Sequence, residues 1–267
     1  MQRENTVGIV LAGGYGALRP GVSKLIESVS STHEKPMISC VADIFRTLAV
    51  PTVVVVNDLY QEQVKKVLFC CDHFVVQRER VGHGGAVRMC LPFIPLLEKH
   101  YSMVVSKVVV LYGDMPLWRP DSIRRLIEGH AISSAVVSMF SIYVKAGCPD
   151  MVERYGRILK DSAGRIIGVR EPYQLSREEI MAASAVNPSA WVFDRSWLEE
   201  NIGLLEPHEI NDGHPPEYWL PDLVSIASMQ RRVIHEVPLE EFWQAMGVNT
   251  HKELEEVRVR WSQCASI

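Results

Sequence analysis

Short β-branched runs separated by stretches of helical spacing constrain this chain most. Val7–Ala12, Thr52–Val56 and Lys107–Tyr112 are almost continuously apolar rather than alternating. A strand that is apolar on both faces belongs in a parallel sheet with helices on each side. Met37–Leu48 lies between the first two runs and places Ile38, Val41, Ile44, Phe45 and Leu48 on one helical stripe. Gln61–Leu68 reads as a second helix, Phe74–Val76 as a short strand, and Gly84–Lys99 as a helix interrupted by Pro92 and Pro95. Pro120–Gly129 reads as a helix and Ser134–Tyr143 as a strand. The alternation predicts an α/β fold, a Rossmann-like, doubly wound and mostly parallel sheet. Such a sheet binds ligands beyond the carboxyl ends of its strands.

The pattern changes after residue 150. Arg157–Lys160 and Arg165–Arg170 flank Asp161-Ser162-Ala163-Gly164, which predicts a β-hairpin. Ser189–Phe193 and Val233–Val237 read as strands; Arg195–Asn201, Tyr218–Gln230 and His251–Arg260 read as helices. The expectation is one domain over residues 1–267, with residues 1–150 as its first half and a small β-rich lobe built from 151–267.

Composition narrows the function classes. The chain carries 28 Lys and Arg against 32 Asp and Glu, a formal net charge of −4, with no basic run to suggest a nucleic-acid partner. No apolar run approaches the roughly 18–20 residues that cross a bilayer, and the first residues lack a secretory h-region, so the expected location is cytoplasmic. Six cysteines include the adjacent Cys70-Cys71 but no CxxC pair. They are expected to be reduced core thiols rather than a redox device or a zinc site.

Two motifs fall at predicted strand ends. Leu11-Ala12-Gly13-Gly14-Tyr15-Gly16-Ala17-Leu18-Arg19 brings bare backbone N–H groups to the end of the first strand, where they can face phosphate oxygens or simply close a turn. It matches neither GxGxxG, since position 19 is Arg, nor a Walker A loop. In Leu111-Tyr112-Gly113-Asp114-Met115-Pro116-Leu117, Asp114 follows a buried strand. There it can hold a divalent cation beside a phosphate or cap the next turn.

Taken with Gln77 and Gly82-His83-Gly84-Gly85-Ala86, Tyr155-Gly156-Arg157-Ile158, Glu171, Asn187, Glu217–Asp222 and Gly247-Val248-Asn249, these motifs recur in an order that resembles the sugar-1-phosphate nucleotidyltransferases. The likeness spans residues 7–257 and is closest to the uridylyltransferase domains of the bacterial N-acetylglucosamine-1-phosphate uridylyltransferases. It implies a fold of nucleotide-diphospho-sugar transferase type, without the β-helix acetyltransferase that bifunctional members append. It implies that Leu11, Ala12, Gly13 and Gly14 line the nucleotide, that Gln77, Gly82 and His83 read the base, and that Tyr112 and Gly113 lie under ribose and phosphates. Gly156, Glu171 and Asn187 would bind the sugar, Asp114 and Asn249 would hold Mg²⁺, and Lys24 would bind phosphate. The chain departs from the pattern where relatives carry an arginine facing the leaving pyrophosphate. That position is Leu18, an arginine follows at Arg19, and Ser23 replaces the proline before Lys24.

The implied reaction joins UTP to a sugar 1-phosphate, N-acetylglucosamine 1-phosphate first among them, giving a UDP-sugar and pyrophosphate with Mg²⁺ as cofactor. The residues assigned to catalysis are Arg19, Lys24 and Asp114. The altered loop leaves a second reading open: a weak or inactive transferase-like domain that binds a sugar nucleotide or partner in a regulatory role.

Overall fold

The computed structural model describes residues 5–68, 71–144, 154–209 and 215–264. The strands, in chain order, are β1 (Thr6–Ala12), β2 (Ala17–Arg19), β3 (Val22–Ser23), β4 (Thr52–Asn57), β5 (His73–Gln77), β6 (Lys107–Tyr112) and β7 (Val137–Tyr143). They continue as β8 (Gly156–Lys160), β9 (Ile166–Arg170), β10 (Ala185–Asn187), β11 (Trp191–Asp194), β12 (Pro207–His208), β13 (Glu217–Tyr218) and β14 (Ile234–Pro238). The helices are α1 (Met37–Thr47), α2 (Gln61–Val67), α3 (Gly82–Cys90), α4 (Ile94–Tyr101), α5 (Pro120–Ser133), α6 (Arg177–Ala182), α7 (Arg195–Asn201), α8 (Asp222–Met229) and α9 (His251–Cys264).

The doubly wound sheet is present. β5, β4, β1 and β6 are neighbours in that order and all parallel. Every residue of β4 is buried, as the unbroken valine run requires. Alternate side chains feed opposite faces. Val7, Ile9, Val53, Val55, Val108 and Val110 join one core cluster, with Val87, Ile94, Leu198 and Leu223 from the helices. Val10, Val54, Val56, Val109 and Leu111 join the other, with Ile38, Val41, Phe45, Ile123 and Leu126.

Beyond β6 the sheet turns antiparallel. β11 lies between β6 and β7, antiparallel to both, and β10 continues the same edge of β7 with Ala185 opposite Tyr143. β14 joins β7 in parallel register. The β8–β9 hairpin hangs from β10, where Asn187 faces Gly156. Its turn forms as the sequence predicts: Asp161 Oδ1 accepts from the N–H groups of Ala163 and Arg165, each at 2.9 Å, and Gly164 takes φ 77°.

Several boundaries differ from the sequence reading. The proline-interrupted helix begins at Gly82 and resolves into α3, a 3-10 turn Leu91–Phe93, and α4, each break falling at a proline. Tyr218 is not helical. It pairs in β13 with Pro207 of β12, and α8 starts only after Pro221. α5 runs on to Ser133 and α9 to Cys264. Among the cysteines, Cys40 and Cys90 are buried thiols, Cys71 and Cys264 are partly exposed, and Cys70 and Cys148 lie outside the described residues. Among the described residues, no helix is long and apolar enough to cross a membrane.

Gly8 sets how closely α1 approaches the sheet. A Cβ built on it would lie 2.6 Å from Cδ1 and Cε1 of the fully buried Phe45 ring. Gly8→Ala is therefore expected to lower stability by about 1–3 kcal/mol. Phe45→Leu added to that variant should return part of the loss, read as non-additivity of urea midpoints.

Candidate active site

The carboxyl ends of β1, β5 and β6 open onto a cavity of about 350 Å³. Its wall includes Leu11, Ala12, Gly13, Gly14, Tyr15 and Gly16 from the glycine loop, Lys24 and Leu25, Gln77 and Arg80, Gly82, His83 and Ala86, Tyr112, Asp114, Glu217 and Asn249.

The glycine loop is held from both ends. Asn57, the last residue of β4, donates from Nδ2 to the Gly14 carbonyl at 2.7 Å. A Cβ on Gly13 would fall 2.9 Å from Gln77 Oε1, and one on Gly16 would fall 3.1 Å from the Lys24 stem. Both approaches are tighter than an ordinary side-chain contact, so the loop backbone lies close to Gln77 at one end and to the Lys24 stem at the other. Tyr15, between them, donates to Asp58 Oδ1 at 3.3 Å, and the Arg80 guanidinium lies 5.4 Å from its ring centre.

Lys24 carries the densest set of contacts. Its ammonium donates to Asp114 Oδ2 at 2.7 Å, to the Val248 carbonyl at 2.7 Å and to Asn249 Oδ1 at 2.6 Å. Three donors thus meet three oxygens brought from β6 and from the turn before α9. Asp114 and Val248 are also joined through their backbones, Val248 N–H to Asp114 O at 3.0 Å. Gly113, beside Asp114, is packed against α1 and β1: a Cβ there would meet Ile38 Cδ1 at 2.5 Å. Thr250 and Glu253 form the α9 capping box: Glu253 Oε2 accepts from the N–H groups of Asn249 at 2.7 Å and Thr250 at 2.8 Å, and Thr250 Oγ1 accepts from Glu253 N–H at 3.2 Å. Burial would raise the Glu253 carboxyl, but these hydrogen bonds and Arg154 hold it below its ordinary value. Capping falls to Thr250 and Glu253, so the Asn249 side chain is free to face Asp114. Aspartate and amide oxygens converging on one cation form a donor set that suits a hard divalent ion such as Mg²⁺.

His83 stands at the start of α3. Its Nδ1 accepts from Leu220 N–H at 2.7 Å, which assigns the proton to Nε2. Burial, helped by His208, pushes its pKa down to about 4, so the ring is a neutral donor near neutral pH. The glycines around it allow the fit: Cβ atoms on Gly82 and Gly84 would lie 2.5 and 2.9 Å from the Tyr218 carbonyl. Gln77 is buried, and its Oε1 has no hydrogen-bond partner among the described residues. Burial, then the charges of Glu171 and Asp114, push the Tyr112 hydroxyl far above its ordinary pKa.

The structure gathers Leu11, Ala12, Gly13, Gly14, Lys24, Gln77, Gly82, His83, Tyr112, Asp114 and Asn249 around one cavity, with Gly113 directly behind it. Gly156, Glu171 and Asn187 form a neighbouring group in the β8–β10 lobe. A Cβ on Gly156 would lie 3.4 Å from Glu171 Oε1, and Asn187 pairs with Gly156. Burial raises the Glu171 carboxyl, Arg157 opposes the rise, and Asp222 adds to it. The Asn187 side chain is fixed by the backbone, donating to Phe140 O at 3.2 Å and accepting from Ser189 N–H at 2.9 Å. Arg19 stands apart. It is exposed, its Nε is bonded to Glu27 Oε1 at 2.6 Å, and it does not line the cavity. Sequence reasoning missed Asn57 and Arg80, and took Glu217 only as the start of the 217–222 motif, without a role. Asn57 left a trace as the polar residue closing a valine run; Arg80 left none.

Comparisons with known proteins agree with this architecture. The signature of the MobA-like NTP transferase domain matches residues 8–184. The chain is 30% identical over 245 residues to the bifunctional protein GlmU of Exiguobacterium sibiricum, covering 92% of this chain and 50% of that protein. It is 28% identical to the GlmU of Geotalea daltonii, covering 94% and 52%. The chain thus spans about half the length of the curated relatives it matches. Among solved structures, a CMP:2-keto-3-deoxy-manno-octonic acid synthetase complexed with CTP superposes with a TM-score of 0.59 at 18% identity, over 97% of this chain and 98% of that one, a likeness of fold.

The His83 environment sets a pH dependence. The folded ring binds a proton only near pH 4, whereas in the unfolded chain it does so near 6.5. Between these values the unfolded state holds more protons, so the contribution is fully present above about pH 6.5 and is lost as pH falls toward 4. His130, also pushed down to about 4 by burial, acts in the same direction. Urea midpoints should fall across that window, and His83→Gln should flatten part of the decline.

Proposed function

The chain belongs to the MobA-like NTP transferase family, and from that premise we propose that it is a sugar-1-phosphate uridylyltransferase. In this reading it joins UTP to a sugar 1-phosphate, N-acetylglucosamine 1-phosphate foremost, and releases pyrophosphate. The observation that carries the reading is the meeting of Lys24, Asp114 and Asn249 at 2.6–2.7 Å beside the glycine loop. A cation-holding oxygen pair, a lysine and a cradle of bare N–H groups in one cleft suit a polyphosphate.

An oxygen of the sugar phosphate attacks the α-phosphorus, a new P–O bond forms, and the bond to pyrophosphate breaks. The attacking oxygen is already ionised near neutral pH, so no general base is required, and positioning with charge neutralisation carries the catalysis. The glycine-loop N–H groups face the phosphates, and Lys24 supplies positive charge. Asp114 and Asn249 would hold Mg²⁺, which when bound would neutralise the phosphate oxygens around the reacting phosphorus. Gln77 Oε1 lacks a partner and the His83 Nε2–H is a fixed donor, so together they offer an acceptor and a donor to a pyrimidine edge. Glu171, Gly156 and the backbone-held Asn187 face the sugar.

One observation favours a second nucleotide. The synthetase with the same fold was solved with CTP, and a cytosine edge also offers a donor beside an acceptor. Another favours binding without turnover, since Arg19 is engaged with Glu27.

Pyrophosphate release should be measured with UTP and CTP side by side, with N-acetylglucosamine 1-phosphate and other sugar 1-phosphates, in the presence of Mg²⁺. Turnover with UTP is the expected result, and Asp114→Ala should reduce it by about 10²–10³-fold. No turnover with any pair, in a protein that still binds nucleotide, would decide for the regulatory reading.

A further inference from the structure

The ammonium of Lys24 stands against the same oxygens that would hold the divalent cation. It donates to Asp114 Oδ2 at 2.7 Å and to Asn249 Oδ1 at 2.6 Å, and its third bond goes to the Val248 carbonyl at 2.7 Å. Among the described residues, neither of those side-chain oxygens accepts from another donor, and the ammonium has no other acceptor. The other charged groups nearby do not enter this junction. Arg80 lies over the Tyr15 ring, Arg19 is bonded to Glu27, and His83 is neutral near neutral pH. Glu217 lines the cavity wall without touching Lys24, and Glu253 is taken up by the start of α9 and by Arg154.

One carboxylate therefore serves one cation at a time. A divalent ion such as Mg²⁺ lies about 2.0–2.1 Å from each oxygen that binds it. On this oxygen pair it would be no more than about 5 Å from an ammonium that kept its bonds to both, where like charges repel strongly. Asp114 alone cannot balance the three positive charges that the two cations would bring together. The Lys24 side chain has another direction open to it. Its stem lies along the glycine loop, with Nζ 3.6 Å from a Cβ built on Gly16, and a four-carbon stem can swing the ammonium. Phosphate oxygens on that loop would offer it charged acceptors in place of those it gives up.

We infer that Lys24 and the divalent cation compete for the Asp114–Asn249 oxygen pair. The chain alone keeps its own ammonium there and binds metal weakly. A polyphosphate that draws Lys24 onto its oxygens opens the seat, so metal enters with the nucleotide or after it, and not before. This rests on the nucleotidyltransferase reading above and adds to it an order of binding.

The test is titration of the whole chain with Mn²⁺ in the absence of nucleotide, free Mn²⁺ being read by electron paramagnetic resonance. Relief of charge repulsion predicts that Lys24→Met and Lys24→Gln bind Mn²⁺ about tenfold or more tightly than wild type. Asp114→Asn added to Lys24→Met should remove that gain. Lys24→Gln keeps a hydrogen-bond donor at the junction and carries the comparison should the methionine variant melt early. Equal Mn²⁺ affinity in wild type and both Lys24 variants would overturn the inference. So would a gain that survives Asp114→Asn, which would put the ion elsewhere. With saturating UTP the wild-type chain should hold Mn²⁺ in a ternary complex, seen as enhanced water-proton relaxation that Asp114→Asn lowers; no enhancement would overturn the opening by polyphosphate. Metal-free calorimetry of wild type with UTP separates the two readings. A chain that binds no UTP removes the nucleotidyltransferase reading, whereas UTP binding with equal Mn²⁺ affinities removes only the competition.

Discussion

The ammonium of Lys24 organises this molecule. It is nearly buried, and a buried charge is tolerated only where every donor finds a strong acceptor. Its acceptors come from residues 114, 248 and 249, so the start, middle and end of the chain must arrive at one point. Removing one of the three oxygens would leave a donor of this nearly buried ammonium without its protein partner. The junction is therefore a constraint on folding before it is a feature of chemistry: β6, the glycine loop and the approach to α9 cannot shift independently. The Lys24 stem also occupies the space beside Gly16, which couples the shape of the loop to the seat of the cation.

Glycines extend that constraint to the rest of the cleft. At Gly13, Gly82, Gly84 and Gly113 a Cβ would come within 3 Å of a neighbouring atom, so each marks a place where another segment packs directly onto the glycine backbone. The pair at Gly82 and Gly84 seats α3 against the β12–β13 ribbon. The same contact lets the Leu220 amide fix the tautomer of His83. The His83 end of the cavity thus depends on a ribbon more than a hundred residues downstream, and the ring's hydrogen-bond polarity is set by the Leu220 backbone.

The parallel half of the fold was legible because its valine runs have one outcome: strands buried on both faces. The β8–β9 hairpin was legible because Asp161 and Gly164 specify its turn. Elements whose state is decided by tertiary contact were not. Glu217-Tyr218 sits beside a helical pattern, yet it becomes a strand because β12 and the α3 glycines meet it there. In the site, Lys24, Asp114 and Asn249 could be assembled only from their order along the chain, since no local spacing connects residues 24, 114 and 249. Arg19 illustrates the opposite limit. Sequence distance puts it near the loop, but Glu27, eight residues on, offers a nearer partner and turns it outward. Arg80 could not be found at all, because a lone arginine in a polar loop has no pattern to distinguish it.

Charge balance bears on whether such a site can work. Once Asp114 neutralises Lys24, the cavity wall keeps little positive charge for a polyphosphate, and an arginine locked to Glu27 adds none. A cleft of that kind would discharge pyrophosphate poorly and would suit binding without turnover. Arg80 stands in the same wall, its guanidinium 5.4 Å from the Tyr15 ring centre, but Glu217 lines that wall too, so two cations face two carboxylates and the net charge of the cleft stays close to zero.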